Sequence, residues 1–185
     1  PNPRDWLATE LLNIQGEEMV KVTITDTNGS SYVLTRPPEG GPLTAEGLGK
    51  NEECDPMLIS NIETSMSYLR LDDVADPAMT DAELGMDKPA TFEVTLTNGI
   101  IYRATIGARP ANAPGRYVRL SASVAENLEK IETPAGTAAG SDTNGAVASP
   151  VQTPAPGAAE AVAASFNDRI GKWTYMISGG KVESM

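Results

Sequence analysis

Apolar residues recur in two rhythms along the chain. From Val20 they alternate, with Val20, Val22 and Ile24 separated by Lys21, Thr23 and Thr25, the period of a strand that buries one face. The rhythm returns at Phe92, Val94 and Leu96, with Glu93, Thr95 and Thr97 between them. Each run leads to an Asn-Gly pair, Asn28-Gly29 and Asn98-Gly99, and then to a second apolar run, Tyr32-Val33-Leu34 in one case and Tyr102, Ala104 and Ile106 in the other. Asn-Gly between alternating runs signals a β-hairpin, because such turns require positive φ. One hairpin phrase therefore occurs twice, and Arg116 to Leu120 reads as a further strand.

The second rhythm is helical. Asp55-Pro56 offers a capping carboxylate and a proline suited to a first helical position, and Leu58, Ile59, Ile62, Met66 and Leu69 follow at three- and four-residue spacing, predicting a helix to about Leu71. Asp5 caps a shorter predicted helix carrying Trp6, Leu7, Leu11 and Leu12. The capping boxes Thr80 to Glu83 and Ser123 to Glu126 predict one brief helical turn before Gly85 and a short helix to Ile131. Ala158 to Ile170 predicts a last helix with Val162, Phe166 and Ile170 on one face and Gly171 as a left-handed cap, followed by a strand over residues 172–178. The expected fold is α+β: a mostly antiparallel sheet from two related hairpins plus later strands, covered by amphipathic helices.

Composition adds one feature. The 185 residues suit a single domain, but the tract at about 133–157 is almost entirely Ala, Gly, Pro, Ser and Thr. It cannot bury enough apolar area to offset its ordering entropy, and reads as a flexible insertion spanning roughly 25–30 Å as a coil. The helix and strand beyond it are expected to pack back on the main body.

Charge and residue usage exclude whole classes of chemistry. A net charge of −11 repels phosphate backbones, so nucleic acid is an unsuitable partner. The sequence has no histidine, which removes Ser-His-Asp and Cys-His nucleophiles and imidazole zinc sites. Cys54 is the only cysteine, and it reads as a small, partly buried loop residue. No cofactor or metal is expected. The start at Pro1, without Met, suggests a removed upstream segment.

Three groups of residues remain as candidates. Arg103, Arg109, Arg116 and Arg119 cluster around the second hairpin, where Arg103 and Arg119 should project from the solvent face to meet an acidic partner or, more simply, Arg103 could pair with Glu93 across the strands. Asp72, Asp73, Asp76, Asp81 and Glu83 fall in one loop and could supply an acid–base pair or bind calcium, although Asp76-Pro77 also marks a turn and the spacing matches no calcium loop. Trp6, Trp173 and Tyr175 could form a stacking platform, or belong to the core.

Four phrases carry a family likeness: Asp5-Trp6-Leu7 with Leu11-Leu12, Glu83-Leu-Gly-Met-Asp-Lys-Pro89, Val94-Thr-Leu-Thr-Asn-Gly99, and Ile106-Gly107 with Arg116-Tyr-Val118. They resemble the bacterial domain-of-unknown-function family 4340, apart from Met86 after the glycine. The resemblance implies an extracytoplasmic, periplasmic domain tethered to the inner membrane by an N-terminal helix and encoded beside transporter genes associated with gliding motility. Its motif residues, with Asn28, Gly29, Gly85, Asn98, Gly99 and Gly107 at turns, are structural, so it transfers no catalytic residue. The expectation is a non-catalytic envelope domain that contacts protein partners, possible transporter subunits among them. The alternatives are a small-ligand or glycan binding module, which needs a concave aromatic pocket, and a carboxylate-dependent hydrolase, which needs converging carboxylates.

Overall fold

The structure, a computed structural model, describes residues 10–48, 53–110, 115–125, 157–182 and 185. Its strands are β1 (Glu10–Leu12), β2 (Met19–Thr25), β3 (Ser31–Thr35), β4 (Thr44–Ala45), β5 (Leu69–Arg70), β6 (Asp73–Val74), β7 (Ala90–Leu96), β8 (Ile100–Ile106), β9 (Gly115–Val124) and β10 (Thr174–Ser178). The helices are α1 (Pro56–Ser65), α2 (Ala158–Phe166) and α3 (Gly179–Val182). Eight strands form one antiparallel sheet in the order β4-β3-β2-β7-β8-β9-β10-β6, and β1 pairs separately with β5. The fold is α+β, as the two rhythms predict.

The two hairpins lie side by side. β2 pairs with β7 so that Val22 stands opposite Val94, the residues that open the repeated phrase. Antiparallel pairing of equivalent residues places a local two-fold axis between them, and both side chains are fully buried. The turns depend on glycine alone: φ is +87° at Gly29 and +80° at Gly99, while among the described residues Tyr68 is the only non-glycine residue with positive φ. Asn28 and Asn98 therefore do not adopt the conformation that an Asn-Gly hairpin turn usually gives its first residue. Instead, Gly99 N–H donates to the Leu96 carbonyl at 2.9 Å and Gly29 N–H to the Asp26 carbonyl at 3.0 Å, and each glycine supplies the left-handed step into the returning strand.

One sheet face carries the core. Val22, Phe92, Val94, Ala104 and Val118 are fully buried there, with Tyr175 and Ile177 of β10 on the same side. α2 packs across β9 and β8 through Ala159, Ala163 and Phe166, while α1 adds Ile59 to the same core. The opposite face is mainly threonine, serine and charged groups, except at one end. There Ala75, Leu84 and Met86, with Met79 and Tyr117, form a second small apolar cluster.

That end is closed by a glycine crossing. A Cβ on Gly107 would lie 2.2 Å from the Leu84 carbonyl oxygen, and Ala108 N–H donates to the Gly85 carbonyl at 2.8 Å. The two segments can approach this closely only without side chains, which explains physically why both glycines appear in the motif phrases.

Several local expectations change. Leu11 and Leu12 belong to strand β1 rather than a helix, and the proposed cap Asp5 lies outside the described residues. α1 begins as expected, with the Asp55 carboxylate accepting from Met57 N–H at 2.9 Å, but it stops at Ser65 instead of Leu71. Its last carbonyls are taken by other groups: Thr64 O accepts from Ser67 N–H and Lys181 Nζ, and Met66 O accepts from Ile14 N–H. Tyr68 then turns left-handed (φ +52°), which frees Leu69 and Arg70 to pair with β1. Leu58, expected on the buried stripe, faces solvent. Thr80 to Glu83 forms hydrogen-bonded turns but no helix, although the predicted box is present: Glu83 Oε2 accepts from Thr80 N–H at 2.7 Å. Ser123 and Val124 extend β9 opposite Ile101 and Ile100, because a paired edge outcompetes a cap, and residues 126–131 of that predicted helix lie outside the described residues.

The last helix differs most. α2 ends at Phe166, and Asn167–Gly171 forms a π-helical turn. Gly171 is not left-handed; Gly157, at the other end of α2, is, with φ +93°. The cause of the widened turn is Asn167, whose side-chain amide donates to the Ala122 carbonyl at 2.7 Å and accepts from Ala122 N–H at 2.8 Å. β10 pairs with β9 only as far as Arg119, so Asn167 takes the place of the missing strand at Ala122. β10 itself starts at Thr174, which leaves Trp173 outside the ladder.

Candidate binding groove

A cavity of about 1080 Å³ opens between α2 and its π-turn on one side and β1 on the other, with β6 and β10 completing the wall. Its floor is built from the core. Phe166 packs edge-to-face on Tyr102, with ring centroids 5.0 Å apart and an interplanar angle of 72°. Tyr175 lies beside them, 4% exposed, its hydroxyl donating to the Ile170 carbonyl at 3.0 Å. Both phenols are pushed above their ordinary value by burial, so they remain neutral hydrogen-bonding groups at physiological pH.

The rim is more unusual than the floor. The described residues leave eight large apolar side chains exposed, and three of them, Val74 of β6, Val162 of α2 and Trp173, line this one concavity. Scattered exposed hydrophobes need no explanation, but convergence of this kind marks an interaction site. Trp173 is 48% exposed because β10 begins one residue later, and Val162 is exposed because the buried stripe of α2 runs through Ala159, Ala163 and Phe166 instead.

Two ionic groups line the groove, Glu10 and Arg169. Glu10 stands directly across from Arg70 in the β1–β5 pair. Arg169 projects from the π-turn, and it draws the phenol values of Tyr102 and Tyr175 down, against the larger effect of burial. The turn that carries it is fixed at both ends, by Asn167 to Ala122 and by Ile170 to Tyr175. The pattern at the sequence level, apolar stripe followed by Gly171, concealed this arrangement, since nothing in spacing alone distinguishes a π-turn from another helical turn.

The arginines expected to form a surface are not gathered into one. Arg103 pairs with Glu93 on the neighbouring strand, with Nε to Oε2 at 2.7 Å. Arg119 reaches Asp81 at 2.6 Å and Thr174 Oγ1 at 3.0 Å. These two share the outer face. Arg116 lies in register with Ile177, on the core side of β9, and Arg109 follows β8 in an exposed loop. The carboxylates also disperse. Asp76 Oδ1 accepts from Ala78 N–H, Asp73 Oδ1 from Val74 N–H, Asp81 pairs with Arg119, and Glu83 accepts from Thr80, while Asp72 is exposed. All five face solvent, and among the described residues no acidic group is arranged to hold a metal ion. The geometry that a two-carboxylate hydrolase requires is not present in this loop.

Of the aromatic trio, Trp6 lies outside the described residues, Tyr175 is floor and Trp173 is rim. Cys54 is half-buried in its loop, where Sγ accepts from Ala45 N–H at 3.3 Å. An arginine that the sequence reading passed over, Arg36, ties the first hairpin to α1: it donates to the carbonyls of Met19, Gly16 and Gly41 and pairs with Glu63 at 2.6 Å. It is the only cation between Lys21 and Lys50, a signal that was present but not distinctive.

No protein-family model, curated protein or solved structure matches the chain. The likeness to family 4340 rests on the motif phrases. Among the described residues no helix is long and apolar enough to cross a membrane.

Proposed function

We propose that this chain is a non-catalytic binding domain, an auxiliary component of an envelope transport or motility assembly in the periplasm, tethered to the inner membrane in the full-length protein, that recognises its target through the Trp173 groove. The observation that carries the reading is the convergence of Val74, Val162 and Trp173 on one concavity over an aromatic floor. The envelope setting comes from the motif resemblance. The groove replaces the arginine surface as the contact because Arg103 and Arg119 are already neutralised by Glu93 and Asp81.

A photo-crosslinking residue placed at Val162, and separately at Arg103, tests this in the cell envelope with the full-length protein. The expected result is an adduct from position 162 and none from position 103. An adduct from 103 alone would return the contact to the second hairpin, and no adduct from either would remove the proposed assembly role. A second reading, a small-ligand module, is supported by the cavity's size, since small-molecule sites typically span about 300–1,000 Å³ with apolar walls and a few polar groups.

A further inference from the structure

The groove's chemistry narrows what it can hold. Its walls are aliphatic and aromatic, so the body of the ligand must be apolar. Its two charges are not equivalent. Glu10 has the opposite charge of Arg70 as its cross-strand neighbour, although the two form no ion pair, whereas Arg169 has no such cross-strand countercharge and, among the described residues, makes no ion pair or hydrogen bond within the protein. Arg169 is also held on a fixed support, because Asn167 and Ile170 anchor the π-turn on either side of it. Single π-turns recur at functional sites, where the widened backbone presents a side chain that a regular helix would not. A guanidinium with spare donors at the side of an apolar groove is suited to a carboxylate, which it can bind through two parallel hydrogen bonds.

We infer that the groove takes a single-chain amphiphile with an anionic head, a long-chain carboxylate, whose tail lies along Trp173, Val162 and Phe166 and whose head meets Arg169. The inference rests on the groove being the recognition site. Charge complementarity is local here, since the net charge of −11 would otherwise disfavour an anion. The anchored support lowers the ordering cost of the receiving side chain.

Dodecanoate, dodecyltrimethylammonium and dodecyl maltoside, each below its micelle concentration, share one tail and differ in the head. Titrated into the full chain by calorimetry, with tryptophan fluorescence as a second readout, dodecanoate should bind about 10- to 100-fold more tightly than the ammonium, the range for a charge-assisted hydrogen bond. Arg169→Gln should remove that preference and Arg169→Glu should invert it. Val162→Glu, at an exposed helix position, should weaken dodecanoate binding, and Arg103→Glu, on the opposite sheet face, should change nothing. Equal affinity for all three heads, the same loss in Arg103→Glu as in Arg169→Glu, or no binding of dodecanoate would each overturn the inference. The crosslink from position 162 stands or falls separately, so failure of the ligand class is distinguishable from failure of the groove.

Discussion

The two hairpins begin from nearly the same words and end in different environments. Tyr32 and Tyr102 each follow an Asn-Gly pair at the same distance, yet Tyr32 is 59% exposed and Tyr102 only 8%. In the first hairpin the outer strand, β3, has on its far side only the two residues of β4, and Tyr32 faces Ile24 near the tip. In the second, β8 lies between β7 and β9 under Phe166, and Tyr102 faces Val94. A repeated phrase specifies the local hairpin. What each position buries is decided by the layer packed on it.

That contrast can be broken by mutation, beginning with the tyrosines. Tyr102→Ala should cost about 3–5 kcal/mol in urea unfolding, through the lost area and the cavity beside Phe166, while Tyr32→Ala should stay within about 0.5 kcal/mol. Similar losses at both positions would mean that the first hairpin is covered after all. Both turn glycines should matter: Gly29→Val and Gly99→Val should each lower stability by about 1–2 kcal/mol, because a β-branched residue resists positive φ, even at Gly29 where the added Cβ meets no neighbour. Unchanged melting temperatures in both would refute the turn assignment.

Smaller effects sharpen the comparison. Arg103→Ala should cost only about 0.2–1 kcal/mol, since its pair with Glu93 is solvent-exposed, and the loss should shrink further at high salt. The turns themselves should differ in their response to acid. In the first, the Asp26 carboxylate accepts from Ser30 N–H at 2.9 Å and Asn28 N–H at 2.8 Å, and these bonds hold it below its ordinary value of 3.8. A lowered folded value means the stabilisation is present above 3.8 and lost as pH falls through the folded value. In the second, the neutral Asn98 amide accepts from Ile100 N–H at 3.0 Å. Below pH 3.8, hydrogen exchange corrected for intrinsic rates should show fraying at Ser30 but not at Ile100, and Asp26→Asn should abolish the difference.

Much of the architecture was legible because it follows from period and punctuation. The alternation at Val22 and Val94, the glycines of both turns and the Asp55 cap each act locally, so the sequence displays them directly. The misreadings share another cause. Leu69 and Arg70 look helical until β1 offers them a partner, Ser123 looks like a cap until β8 does, and Gly171 looks like a terminus until Asn167 bonds to Ala122. Each depends on a partner that the fold brings up from another element. The groove was legible only in part: Trp173 and Tyr175 stood out as aromatics, but Arg169 owes its position to the π-turn, and Val162 was assigned to the buried face.

Asn167 has a consequence for how this protein behaves among other chains. Beyond Arg119, β9 would present a free peptide edge, the kind of template on which sheets from separate molecules join. One side-chain amide occupies both groups of Ala122 and ends the ladder there. An aspartate in its place would keep the acceptor but lose the donor, leaving the buried Ala122 carbonyl without its partner. The residue that shapes the groove's wall thereby also ends the sheet, so changes made to retune the one would be constrained by the other.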